Sequence, residues 1–153
     1  MSEYRLIEEI LQLSVSKTWD SAKQEWVLDN IYITVYPEQC LCGHFPIIEL
    51  CEIRYKLNGR ITTVGNHCVK KFLELPSEEI FQGIRKIQKD ITKSLNDDAV
   101  QYAKSKKWID EWQYDFYLDT IQKRKLTDKQ REKREEINQK VINIIKRSSH
   151  NPK

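Results

Sequence analysis

Residues 40–72 read CLCGHFPIIELCEIRYKLNGRITTVGNHCVKKF, and the reading of this stretch decides the fold. The arms 47–55 and 60–64 are rich in Ile, Thr and Val, and Asn58-Gly59 between them suits the positive φ angles of a type I′ turn. A β-hairpin is therefore expected. Ahead of it, Cys40 and Cys42 flank a single residue, and Gly43 after them relieves a tight turn. Behind it, Gly65-Asn66 opens a short helix, with Asn66 as the expected N-cap and Val69, Phe72 and Leu73 on the apolar face. Cys68 falls in the first turn of that helix, where free N–H groups and the dipole favour a thiolate.

The chain holds 4 Cys, all between positions 40 and 68. No apolar run approaches the ~18 residues of a membrane span. The opening MSEYRLIEEILQLS is charged and amphipathic, unlike a secretory leader. The expectation is a cytoplasmic protein without membrane attachment, where thiols stay reduced and clustered cysteines point to metal before disulfides. Structural zinc is bound by a closed tetrahedron of S and N ligands. Cys40, Cys42, Cys51 and Cys68 are the expected set for one structural Zn2+. Cys51 shares a strand face with Ile47, Ile53 and Tyr55, so a buried core cysteine is the competing reading. His44, inside the knuckle, is then the substitute ligand, and His67, beside Cys68, the weaker one.

The order of knuckle, hairpin and ligand-bearing helix resembles the treble-clef zinc fingers over residues 38–73. The string C-x-C-G-H … C … V-G-N-x-C-V-x-x-F, preceded by a Trp-bearing helix, is similar to small uncharacterised proteins of phages and mobile elements. Two departures stand out: the knuckle is C-x-C rather than C-x-x-C, and Lys71 occupies the place of a second helix ligand. The resemblance implies a zinc-structured module. It also brings a minor alternative, because treble clefs underlie His-containing nucleases, and His44 or His67 with Asn66 offers a thin version of such a site. Four Cys would leave no open position for water on the metal. H-E-x-x-H, the deaminase H-x-E with P-C-x-x-C, G-x-G-x-x-G, the P-loop and G-x-S-x-G are all missing from the sequence. The chain is read as a binding protein rather than an enzyme, with no catalytic residue assigned.

Outward from this stretch the reading is α+β and mostly helical. With 4 Gly and 4 Pro, elements should be long and loops few. Helices are expected at 2–13, through Leu6, Ile7, Ile10 and Leu11, and at 18–26, through Trp19, Ala22 and Trp26. A strand at 31–36 should end at Pro37. From 77 onward only helices are read. A long one carries the stripe Ile80, Ile84, Ile87, Ile91 and Leu95, and a second spans 97–107. A third carries Trp108, Trp112 and Phe116, with both tryptophans expected in the core. Thr127 and Gln130 form the capping box of the last, whose buried face is Ile137, Val141, Ile144 and Ile145. The expected division is a zinc-binding module with N-terminal helices and hairpin at 1–75, and a helical region with a basic C-terminal helix, forming a bundle, at 76–153.

The formal net charge of +3 hides an uneven distribution. Residues 1–65 carry 6 Lys/Arg against 9 Asp/Glu, residues 66–107 carry 9 against 6, residues 108–120 carry none against 4, and residues 121–153 carry 11 against 4. The last segment favours a polyanion. Lys123, Arg124, Lys125 and Lys129, with Lys70 and Lys71 beside the metal, are the expected nucleic-acid contacts, which makes a DNA- or RNA-binding accessory protein the first functional reading. Glu132, Glu135 and Glu136 alternate with the bases, so a solvated helix face remains the competing account. The alternative partner is a host protein, bound or inhibited through the acidic, aromatic segment 108–120.

Overall fold

A computed structural model describes residues 2–73 and 76–147, without the side chains of 2–4, 71, 72 and 147. The chain is α+β and mostly helical. It forms two compact units, Met1–Ser77 with Lys146–Lys153, and Glu78–Ile145.

The first unit is built on a sheet of order β3-β2-β1-β4. Strands β1 (Trp26–Glu38), β2 (Ile47–Tyr55) and β3 (Ile61–Gly65) are antiparallel, and the short β4 (Lys146–Arg147) runs parallel to β1 at Ile33 and Thr34. The hairpin forms where it is expected, but through a different turn. Tyr55 N–H donates to Arg60 O at 2.8 Å and Gly59 N–H to Tyr55 O at 2.9 Å. Residues 56–59 lie between, and only Gly59 takes a positive φ, of 76°. Helix α1 (Ser2–Gln12) contributes Leu6 and Ile10 to the core, beside Ile31, Leu50, Ile53 and Val64 of the sheet; each is at most 1% exposed. A fully buried aliphatic side chain of this size contributes about 1.5–3 kcal/mol.

Strand β1 is longer than its sequence pattern suggests at both ends. Helix α2 (Trp19–Ala22) and a 3-10 turn stop before Trp26, which opens β1 instead. Its indole N–H donates to Ser14 Oγ at 3.0 Å and its ring packs on Tyr55, with centroids 4.9 Å apart. At the other end Pro37 lies within the strand. A register shift between Ile33 and Glu38 takes 34–37 out of the ladder with β2, so the missing N–H leaves no bond unmade. Helix α3 (Asn66–Cys68) is capped by Gly65 rather than Asn66. Asn66 is turned inward, where its amide donates to Glu49 Oε1 at 3.3 Å and its oxygen accepts from Ser77 Oγ. A π-type turn, Val69–Leu73, follows.

The second unit consists of helices α4 (Ser77–Lys89, from Glu78 onward), α5 (Asp97–Ser105), α6 (Glu111–Thr120) and α7 (Asp128–Ile145). The isoleucine stripe does not continue as one helix to Leu95. Asp90 Oδ1 accepts from Thr92 N–H at 3.0 Å and from its hydroxyl at 2.7 Å, a local turn that competes with another helical turn. Thr127 and Gln130 exchange the bonds of a capping box at 3.0 and 3.1 Å, as expected. Asp110 and Gln113 form a second box that starts α6 after Trp108. That start sets the helix phase: Tyr117 and Thr120 face inward, while Trp112 is 57% exposed against 9% for Trp108. Trp112 is thus a surface residue, contrary to the expectation. On α7 the buried line runs Arg134, Ile137, Asn138, Val141 and Ile145, leaving Ile144 41% exposed.

A buried polar network joins these helices. Tyr117 donates to Asn138 Oδ1 at 2.7 Å and accepts from Leu95 N–H at 2.8 Å. Asn138 Nδ2 donates to the carbonyls of Ile91, at 2.9 Å, and Lys93, at 2.7 Å. Arg134 Nη2 donates to Thr120 O at 2.6 Å and to its hydroxyl at 3.0 Å. No helix among the described residues is long and apolar enough to cross a membrane.

Candidate metal centre and basic surface

The knuckle is a tight turn held by its own backbone. Gly43 N–H donates to Cys40 O at 2.8 Å, Cys40 N–H to His44 O at 2.9 Å, and Gly43 takes a φ of 96°. Leu41 N–H reaches Thr63 O at 3.2 Å, which sets the knuckle beside β3. At the end of β3 the chain turns into α3 and presents Cys68. The Sγ atoms of Cys40, Cys42 and Cys68 consequently lie within 4.8 Å of one another, and all three residues are buried.

The backbone is aimed at these sulfurs. Cys40 Sγ accepts from Gly65 N–H at 3.2 Å and from Cys42 N–H at 3.5 Å, and Cys42 Sγ accepts from His44 N–H at 3.4 Å. Such donors stabilise the charged form of a thiol. The thiol of Cys68, then the Gly65 and Cys42 N–H groups, outweigh burial and bring the Cys40 pKa down to about 5. Cys68 moves up, because its thiol donates to Cys40 and, at 3.5 Å, to Cys42 Sγ, and is itself buried. The two shifts run in opposite directions, so the metal-free trio favours a shared proton, with Cys40 the more acidic sulfur. A bound metal ion would take the place of the proton between them, since thiolates are the ligating form. Three convergent thiolates suit a soft or borderline ion, and the cluster can hold one.

Cys51 is not in that group of three, although charge on Cys40 is near enough to act on its thiol. It pairs with Ile31 and Val64 in the middle of the sheet and is fully buried. Burial pushes its thiol up to about 12, with the Ser77 hydroxyl acting in the opposite direction. Of the four expected cysteine ligands, the fold brings the Sγ atoms of three within 4.8 Å of one another, and the fourth, Cys51, is buried on a strand of the sheet. His44 and His67 are exposed and lie outside the trio. One contributor had no signal in the sequence. A Cβ built on Gly43 would lie 2.8 Å from Arg5 Nη1, so the guanidinium of α1 packs directly against the knuckle.

The expected basic residues divide into two kinds. Lys123, Arg124 and Lys125, in the loop before α7, and Lys129 in its first turn are exposed, and among the described residues none is in an ion pair. Further along α7 the cations have internal partners. Arg131 pairs with Asp128 at 3.3 Å, Lys133 with Glu136 at 3.2 Å, and Lys140 donates to Gln113 at 3.1 Å. Arg134 is buried. In the first unit Lys70 is exposed, and the side chain of Lys71 lies outside the described residues. Comparison with protein-family models, with characterised proteins and with solved structures finds no match for this chain.

Proposed function

We propose that this chain is a zinc-stabilised, nucleic-acid-binding accessory protein, in which the metal organises the first unit and a basic loop of the second meets phosphate. The reading rests on the contrast between paired and unpaired cations. Lys123, Arg124, Lys125 and Lys129 face solvent without a carboxylate partner among the described residues, whereas Arg131 and Lys133 have one. Zinc is favoured for the metal because the donor set is sulfur, the ion is redox-inert and the backbone already neutralises thiolate charge. In this role the metal shapes the knuckle and does no chemistry on a substrate. Cations free of internal partners release counterions when they meet phosphates, so log affinity should fall linearly with log salt, by about 0.7–0.9 per contact.

A salt titration of binding to mixed-sequence DNA and RNA tests this. Reversal of Lys123, Arg124 and Lys125 to Glu should flatten the slope and weaken binding to all sequences alike. Binding that ignores salt, or no binding at low salt, removes the nucleic-acid reading. A protein partner is the second reading, favoured by the exposed indole of Trp112, which stacks on Phe116 with centroids 5.5 Å apart. Exposed tryptophans of this kind are frequent binding anchors. A salt-insensitive result moves attention to this face of α6, with Asp115 and Asp119 beside it.

A further inference from the structure

We infer that His44 supplies the fourth ligand of the metal held by Cys40, Cys42 and Cys68, giving a three-sulfur, one-nitrogen centre. The inference rests on the metal reading above. A closed zinc site takes four ligands, and the fold converges only three sulfurs. The remaining cysteine is committed elsewhere. Cys51 is fully buried between Ile31 and Val64 in the sheet, beside the Ser77 hydroxyl, and is not among the three whose sulfurs lie within 4.8 Å of one another. Glu49, the neighbouring acid, accepts from the Asn66 amide.

His44 is held at the cluster by its backbone on both sides. Its N–H donates to Cys42 Sγ at 3.4 Å and its carbonyl accepts from Cys40 N–H at 2.9 Å. Its Cα is one bond beyond a nitrogen already in contact with a ligand sulfur. In this assignment the imidazole, which lies outside the trio, reaches the metal by rotation about its side-chain bonds. The ring is exposed and makes no hydrogen bond among the described residues, so nothing holds it away. His67 is less suited, because it adjoins Cys68 on α3 and successive helical residues do not face the same way. Charge agrees with this choice. Three thiolates and a neutral imidazole around a divalent ion leave one negative charge, and one guanidinium, that of Arg5, packs against the knuckle.

Cobalt(II) substitution, zinc analysis and X-ray absorption on the full chain test the ligand set. The wild type should bind one ion in a tetrahedral site whose absorption fits three sulfurs and one nitrogen. His44→Ala should weaken cobalt binding at least tenfold and shift its visible bands, while Cys51→Ser and His67→Ala leave both unchanged. His44→Cys keeps the test decisive if the alanine variant folds poorly. It should retain the ion and raise the sulfur-to-cobalt charge-transfer intensity, as a fourth thiolate enters. Unchanged bands in both His44 variants, or a loss confined to Cys51→Ser, overturn the assignment while leaving the metal centre standing. A wild-type chain that takes up neither zinc nor cobalt under reducing conditions removes the metal reading itself.

Discussion

The backbone N–H of Gly65 donates to the Sγ of Cys40 across 25 residues of sequence, at 3.2 Å. Gly65 is the last residue of β3 and the cap of α3, so one peptide group ends a strand, starts a helix and steadies a thiolate. A side chain at that position would crowd Ile47, whose Cγ2 lies 3.3 Å from where a Cβ would stand. The cysteine cluster and the hairpin are therefore parts of one construction.

Removal of the metal should loosen that construction without unfolding the helices of the second unit. Purified reduced protein is expected to carry one zinc per chain. Cys42→Ser should lose it and several kcal/mol of stability, because metal-binding energy at such a site is folding energy. Metal analysis with chelator-dependent thermal melts measures both, and full zinc retention in Cys42→Ser would refute the assignment of that sulfur.

The metal-free chain should show a distinctive dependence on pH. Cys40 is held at about 5 against an ordinary 9.0, so its contribution to stability is full above 9.0 and declines as pH falls toward 5. Cys68 is raised, so its contribution is full below 9.0 and declines as pH rises past that value. Together the two thiols should place their maximum contribution near pH 9. Urea midpoints of chelated, reduced protein across pH report it, and Cys40→Ser should abolish the decline on the acid side.

Two glycines should respond differently to alanine. Both adopt positive φ, 96° at Gly43 and 76° at Gly59, so each replacement costs about 1–2 kcal/mol of backbone strain. Around Gly59 there is open space, whereas at Gly43 the new methyl would meet Arg5 Nη1 at 2.8 Å. Gly43→Ala should therefore cost more in urea unfolding and also weaken metal binding. Gly59→Ala should leave the metal untouched.

Arg134→Leu should destabilise the second unit by about 3 kcal/mol, since it leaves the carbonyl of Thr120 without its buried donor and removes a cation over the Tyr117 ring. Exposed Lys129→Leu should change stability by less than about 0.5 kcal/mol. Denaturant unfolding followed by circular dichroism separates the two.

The contrast between these cations shows what the sequence made legible. The Asn-Gly turn, the paired cysteines before Gly43 and the Thr127–Gln130 box act over a few residues, and each appears close to where local chemistry puts it. The burial of Cys51 follows strand alternation, which its spacing from Ile47, Ile53 and Tyr55 already carried. Arg134 and Asn138 also sit at the spacing of the buried stripe of α7, although their polarity masks that position. What local pattern did not carry was set at a distance. The register shift that admits Pro37 depends on β2, the outward turn of Trp112 depends on where Asp110 starts α6, and Arg5 reaches Gly43 from another element.

Strand β4 gives the chain an unusual order. Because Lys146–Arg147 pairs with Ile33 and Thr34, the first unit is discontinuous in sequence, and the helices 78–145 are an insertion between its two pieces. A fragment stopped at residue 77 would keep the three clustered cysteines but lose the strand that covers part of β1's outer edge, leaving those main-chain groups open to pairing with another chain. Excising the cysteine-bearing unit intact thus means joining its early and late segments through a short linker, rather than truncating the protein.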